Sequence, residues 1–280
     1  MREIKLATAQ FGAAIASFMV GFVKLSVSNG VERADCAGSG TLVSVGGVRG
    51  ILTAAHVLEN LPDRGQVGIV DFLGETIHYR KRLIDMAGAK KIKIGGENEA
   101  ADGRDLGFLR LPQEALGWFG GLNSFYDLKT HRDDLSEVHP PAPHHVHAVV
   151  GLINERTKDL PADRPGERRA GFEAVFSDGA IVKTERKNEF DLIEFAPKVY
   201  PDTNLPSSFE GTSGGALWRI FFDIDQDQAK VIASRLWGIP FQQSLPSQAG
   251  VRTLTCHAIT GVYGTLMDLI TNEWPEESTR

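Results

Sequence analysis

The stretch Ser207–Ile220, "SSFEGTSGGALWRI", sets Ser213 inside Gly211-Thr212-Ser213-Gly214-Gly215. A serine in G-x-S-x-G can occupy a sharp strand-to-helix elbow, or a loop that runs directly into a strand. The residues that follow decide between the two. "GGALWRIFFDI" (Gly214–Ile224) is aromatic and β-rich, so it reads as a strand. The serine is expected in a loop entering a strand, and the α/β elbow loses its support. Glycines on both sides let the backbone turn tightly and bring N–H donors toward one point.

An elbow serine also needs an acid and then a histidine further along the chain. Only His257 lies downstream, and no H-G-G-G run lies upstream, so an esterase is the weakest of the readings. The opposite order of histidine, aspartate and serine is complete. "ILTAAHVL" (Ile51–Leu58) places His56 at a strand end followed by a helical turn, and "DLGFLRL" (Asp105–Leu111) starts a strand with Asp105. Asp102 lies three residues earlier in the same loop. Asp105 is preferred because the alternating apolar run begins directly after it. The chemistry asks for these residue types. A serine hydroxyl is nearly inert at neutral pH and needs a base that titrates near 7, which histidine supplies. A buried carboxylate fixes the ring tautomer and stabilises the imidazolium.

The rest of the chain is mostly short strands. "FMVGFVKLSV", "SGTLVSV", "RGILTAA", "QVGIVDF" and "ETIHYRKRLIDM" precede "DLGFLRLP", and "VSVGGVRGIL" reads as a hairpin turning at Gly46-Gly47. A polar, proline- and histidine-rich stretch from His131 to His147 interrupts them. Strands resume at "HAVVGLI" and run to "VRTLTCHAI". Asn154–Arg169 is charged and reads as a loop. This pattern divides the chain into an N-terminal β-barrel over 18–125, a linker over 126–146 and a C-terminal β-barrel over 147–257. A helix is expected over 258–280, from the spacing of Ile259, Val262, Leu266, Leu269 and Ile270. Phe11, Ile15, Phe18, Met19 and Phe22 predict a short N-terminal helix running into a strand. The expected class is all-β, with no alternation of strands and helices.

At "GSGTLVSV", "GILTAAHVL", "DLGFLRL", "GTSGGALW" and "LWGIPF" the chain resembles the chymotrypsin-like (trypsin-like) serine peptidases, over about Phe18 to His257. The resemblance implies two six-stranded antiparallel barrels with a site in the cleft between them, and hydrolysis of peptide bonds through an acyl-enzyme. It implies His56 as general base, Asp105 as its orienting acid and Ser213 as nucleophile. The N–H groups of Gly211 and Ser213 form the oxyanion hole on the same basis. No cofactor or metal is implied, and the partner is a protein or peptide substrate. The alternative is a protease-fold binding or partner-activated module whose cleft is occluded.

Some residues depart from the family. Thr212 stands where clipped members carry the aspartate that binds a new N-terminus, so the resemblance is to bacterial-type members. Ser207, not an aspartate, lies six residues before the nucleophile, and Pro240 stands where glutamate-specific members tend to carry histidine. Ser207, Pro240, Phe241 and Gln242 are the expected substrate-binding residues, with no preference for basic or acidic side chains. "FQQ" (Phe241–Gln243) is the expected edge for pairing with substrate backbone.

Two other patterns imitate metal sites. Asp223, Asp225 and Asp227 mimic a calcium loop, but Gln228 replaces the glycine and Ser234 the bidentate glutamate. His139, His144, His145 and His147 lack a paired cysteine or glutamate at helical spacing. Cys36 and Cys256 form no metal-like pair, and Cys256 reads as a buried strand residue. The net charge of −6 leaves nucleic-acid binding without support. "LATAQFGAAIASFMVGFV" (Leu6–Val23) superficially resembles a signal peptide. However, Glu3 sits in the would-be cationic start, Gln10 and Ser17 interrupt the apolar core, and no clear A-x-A site precedes a polar mature start. No membrane span is expected either. A cytoplasmic protein is the first reading, with secreted or periplasmic as the alternative.

Overall fold

Met19 to Ser28 forms a strand because its inward positions are apolar, and Met19, Val20 and Phe22 are fully buried. The computed structural model describes residues 10–28, 31–72, 82–119, 124–135, 142–160, 169–200, 205–225, 228–248 and 250–279. A helix over residues 10–16 (α1) leads into this first strand and buries Phe11 and Ile15, one turn apart. His139, Asp227 and the centre of the charged 154–169 segment lie outside the described residues.

The first half holds β1 (Met19–Ser28), β2 (Val31–Val45), β3 (Val48–Thr53), β4 (Gln66–Asp71), β5 (Arg82–Asp85), β6 (Lys90–Gly95), β7 (Asp105–Arg110) and the short β8 (Tyr126–Asp127). They form one curled sheet in the order β5-β4-β1-β2-β3-β7-β6, with β8 parallel to β2. The order ends at β5 and β6, so among the described residues this half is an open sheet. A six-stranded closed barrel was the expectation, and ring closure depends on pairing between end strands that alternation cannot encode.

The second half holds β9 (His144–Leu160), β10 (Arg169–Lys187), β11 (Phe190–Pro197), β12 (Ala216–Asp225), β13 (Gln228–Gln243) and β14 (Leu254–His257). These six close into a barrel in the order β10-β11-β14-β13-β12-β9. Val149, Ile193, Phe195, Phe209, Leu217 and Leu254 pack among its buried residues. The charged segment expected as a loop continues the strands instead. Arg169 pairs with Leu160, and Lys158 bridges to Glu173 at 2.8 Å across the ribbon. An exposed two-stranded arm has no buried face to impose alternation, which hid it from pattern reading.

A core cluster joins the halves, with Val43 and Phe108 from the sheet meeting Trp218, Leu236 and Tyr263. The Tyr126 hydroxyl accepts the Leu236 N–H at 3.2 Å, which ties β8 to the barrel. The chain finishes in a π-helix (Thr260–Leu266), a helix at Met267–Glu273 and a final turn at Pro275–Ser278. That turn returns to the first sheet. Gly47 N–H donates to the Glu277 carbonyl at 2.8 Å, and Arg110 pairs with the Glu277 carboxylate while lying over the Trp274 ring.

Candidate active site

His56 sits in the first turn of a helix, α2 (Ala55–Asn60), that begins where β3 ends. Ala54 and Ala55 are fully buried, so the helix start lies tight against β7 and its imidazole is carried at the surface of the core. Asp105 opens β7 and is buried completely. Its carboxylate meets His56 twice. Oδ2 lies 2.6 Å from Nδ1, and Oδ1 accepts the His56 main-chain N–H at 2.8 Å. The second bond fixes the carboxylate plane, so the first cannot swing. With Nδ1 donating, the neutral ring keeps Nε2 as an acceptor, on a side chain that is partly exposed.

Ser213 occupies the loop before β12, as its sequence context predicts. Gly211 has φ of +97° and Gly214 φ of +79°, conformations that glycine adopts without strain. The loop is docked on both halves. The Ser213 carbonyl accepts from Ser39 N–H at 2.9 Å, and Gly214 N–H donates to the Pro240 carbonyl at 2.8 Å. Ser39 Oγ donates to the Gly211 carbonyl at 2.7 Å and accepts the Leu152 N–H at 2.7 Å. A methyl group on Gly214 would collide with Thr53 and come within 2.8 Å of Ala54 N, so this loop abuts the strand end that precedes His56.

Among the described residues, neither the Gly211 nor the Ser213 N–H meets a protein acceptor. The N–H groups around them are all paired, from Thr212 to Phe209 and from Gly215 to Thr212. Two main-chain donors thus stay unpaired beside a partly exposed serine. Among the same residues no hydrogen bond joins Ser213 Oγ to His56 Nε2. Such bonds commonly tighten only when substrate is present.

The expected substrate-binding residues are divided. Ser207 is exposed, and its N–H and hydroxyl both go to the Glu155 carboxylate. Those hydrogen bonds, the hydroxyl's first, hold Glu155 below the usual carboxylate range. Pro240 is tied to the serine loop through its carbonyl, which accepts the Gly214 N–H; Gln242 is exposed, and Phe241 is buried, 4.6 Å from the His257 ring. Gln243 closes the "FQQ" edge expected to pair with substrate backbone, and its side chain turns to the serine loop. Its Oε1 accepts the Phe209 N–H at 2.9 Å, and its Nε2 donates to Ser208 Oγ at 3.0 Å.

Neither metal-like pattern gathers three metal-binding side chains among the described residues, although the His145 and His147 rings lie 5.5 Å apart. Asp223 and Asp225 sit on the β12–β13 hairpin, with Asp223 capping the Ile224 N–H. His144 stacks on Phe222, and His147 lies beside Trp237. Cys256 is fully buried, and burial pushes its thiol up; Cys36, packed against Gly211, is pushed up to about 11, chiefly by desolvation. No described helix is long and apolar enough to cross a membrane. Compared with family models and with curated proteins, the chain finds no match in either.

Proposed function

We propose that this chain is a serine endopeptidase of the chymotrypsin-like kind, acting on protein or peptide substrates. The observation that carries this reading is the two-point seat of Asp105 on His56, at 2.6 and 2.8 Å, beside a glycine-flanked serine loop. Ser213 Oγ attacks the scissile carbonyl while His56 Nε2 takes its proton. The Asp105 carboxylate stabilises the resulting imidazolium, and the Gly211 and Ser213 N–H groups hold the oxyanion. His56 then protonates the leaving amine, and water repeats the cycle on the acyl-enzyme.

A fluorophosphonate probe tests this reading because it needs an activated nucleophile and an oxyanion hole together. Ser213 alone should be modified, and Ser213→Ala should abolish labelling with the fold retained. Labelling of another serine, or none at all, removes the proposal.

A second reading, a binding or partner-activated module with an occluded cleft, is favoured by one contact. The Gln243 side chain straps β13 to Ser208 and Phe209, beside the expected substrate positions. If Gln243→Ala hydrolyses peptide amides that wild type leaves intact, although both react with the probe, the strap is the block.

A further inference from the structure

His257 ends β14 with no exposed surface and meets Asp105 through its main chain, whereas His56 meets its carboxylate. Its Nε2 accepts the Asp105 main-chain N–H at 3.2 Å, a bond spanning 152 residues of sequence. The ring is held by Phe241 at 4.6 Å and by Phe190 edge-on at 5.6 Å, and Gly261 leaves its Nδ1 side open to the π-helix. Among the described residues Nδ1 is buried without a partner. A histidine serving only as filler has no need to spend a buried N–H, because phenylalanine fills similar space without that cost. The ring that accepts at Nε2 must carry its proton on Nδ1, so the unpaired Nδ1 is the consequence of the bond to Asp105.

We propose that His257 is a positioning residue for the His56–Asp105 pair. It anchors the Asp105 main chain so that both carboxylate oxygens meet the donors of His56. The inference rests on the peptidase reading for its consequence, while the geometry itself involves no substrate. Asp105 is the first residue of β7, where the ladder to β6 ends at Gly95. A strand terminus frays unless its last donor has an acceptor, and His257 supplies one from the other half of the molecule. The arrangement makes the acid's position depend on the barrel being closed at β14. Asp105 is the charged group facing the ring; β11 and β13 present Phe190 and Phe241, and neighbouring Asp191 is taken up by Thr260.

The test compares His257→Phe, His257→Gln and His257→Asn. Phenylalanine keeps the volume and loses the acceptor. Glutamine places a carbonyl oxygen near the Nε2 position, and asparagine places one near Nδ1. The first readout is solvent exchange of the His56 Nδ1 proton, followed by NMR on histidine-labelled protein. The Phe and Asn variants should exchange it about tenfold faster or more, the equivalent of one lost hydrogen bond, and Gln should restore wild-type protection. The second readout is fluorophosphonate labelling, which should slow in Phe and Asn and recover in Gln. If all three behave alike, or Phe matches wild type, the positioning role is overturned. If Phe does not fold, the Gln and Asn pair decides alone. If wild type takes no label, the peptidase reading fails while the exchange rates still judge His257.

Discussion

Ser39 Oγ donates to the Gly211 carbonyl at 2.7 Å, so a hydroxyl from β2 holds the loop that carries Ser213. The same oxygen accepts the Leu152 N–H at 2.7 Å, placing one buried side chain between the sheet, the barrel and the serine loop. Ser39→Ala strands the buried Leu152 N–H and the partly buried Gly211 carbonyl. Each costs about 1–3 kcal/mol, so urea unfolding should show a loss of roughly 2–6 kcal/mol. Probe labelling of Ser213 should slow as well, since Gly211 is then free to turn its N–H away. Unchanged stability would mean that water replaces the hydroxyl in both bonds.

Asp105→Asn keeps the volume of the acid but offers the imidazole the wrong hydrogen-bond pattern. In the proposed mechanism kcat falls by about 10⁴ with KM little changed, because Asp105 touches no substrate. Asp102 is exposed and lies 4.0 Å from the Arg104 guanidinium, outside the His56 seat. Asp102→Asn should leave kcat within about tenfold, since an exposed charge acts through a screened field. A reversed ranking in steady-state assays on a peptide ester would displace Asp105 from the site.

Two glycines with nearly equal φ separate crowding from backbone strain. Gly214 at +79° faces Thr53, the Ser39 carbonyl and Ala54 N, whereas Gly250 at +75° has nothing within 4 Å of where a methyl group would lie. Gly250→Ala should cost about 1–2 kcal/mol, from the left-handed conformation alone. Gly214→Ala carries that same strain and also forces the serine loop off β3, so it should lose probe labelling altogether and be the less stable of the two in urea.

The three motifs were readable because each is local. Ala54-Ala55-His56, Asp105 before its apolar run, and the glycines around Ser213 all declare their backbone state within five residues. The six strands of the barrel were readable for the same reason. Ser39 and His257 gave no such signal, because their partners lie 172 and 152 residues away and a serine or histidine in a strand looks ordinary. Alternation also could not reveal that the first sheet stays open, since it reports which face is buried and not which strand ends the sheet.

Acid should weaken the fold through its buried histidines. Burial pushes His257 down to about 4, although Asp105 partly opposes the shift. His147 is also pushed down to about 4, by burial and then by Arg219 and His145. Both are lowered from the usual histidine value near 6.5, so the unfolded chain binds more protons between those limits. Their stability contribution is complete above about pH 6.5 and is lost as pH falls through 4. For His257 the loss is roughly 3 kcal/mol. Urea midpoints measured from pH 7 to 4 at constant salt should fall, and His257→Gln should flatten part of that slope. A flat wild-type profile would contradict both shifts.

The turn at Pro275–Ser278 gives the chain an order of assembly. Arg110 on β7 waits 167 residues for the Glu277 carboxylate that neutralises it, and the Gly46 turn is covered only when Ser278 arrives. A nascent chain that has emerged as far as Gln243 carries His56, Asp105 and Ser213, but not His257, the π-helix or this clasp. Up to that point the first sheet has its hairpin bare, and the acid's anchor at β14 is still missing. The proposed catalytic geometry therefore waits for a residue that follows all three of its members in the chain.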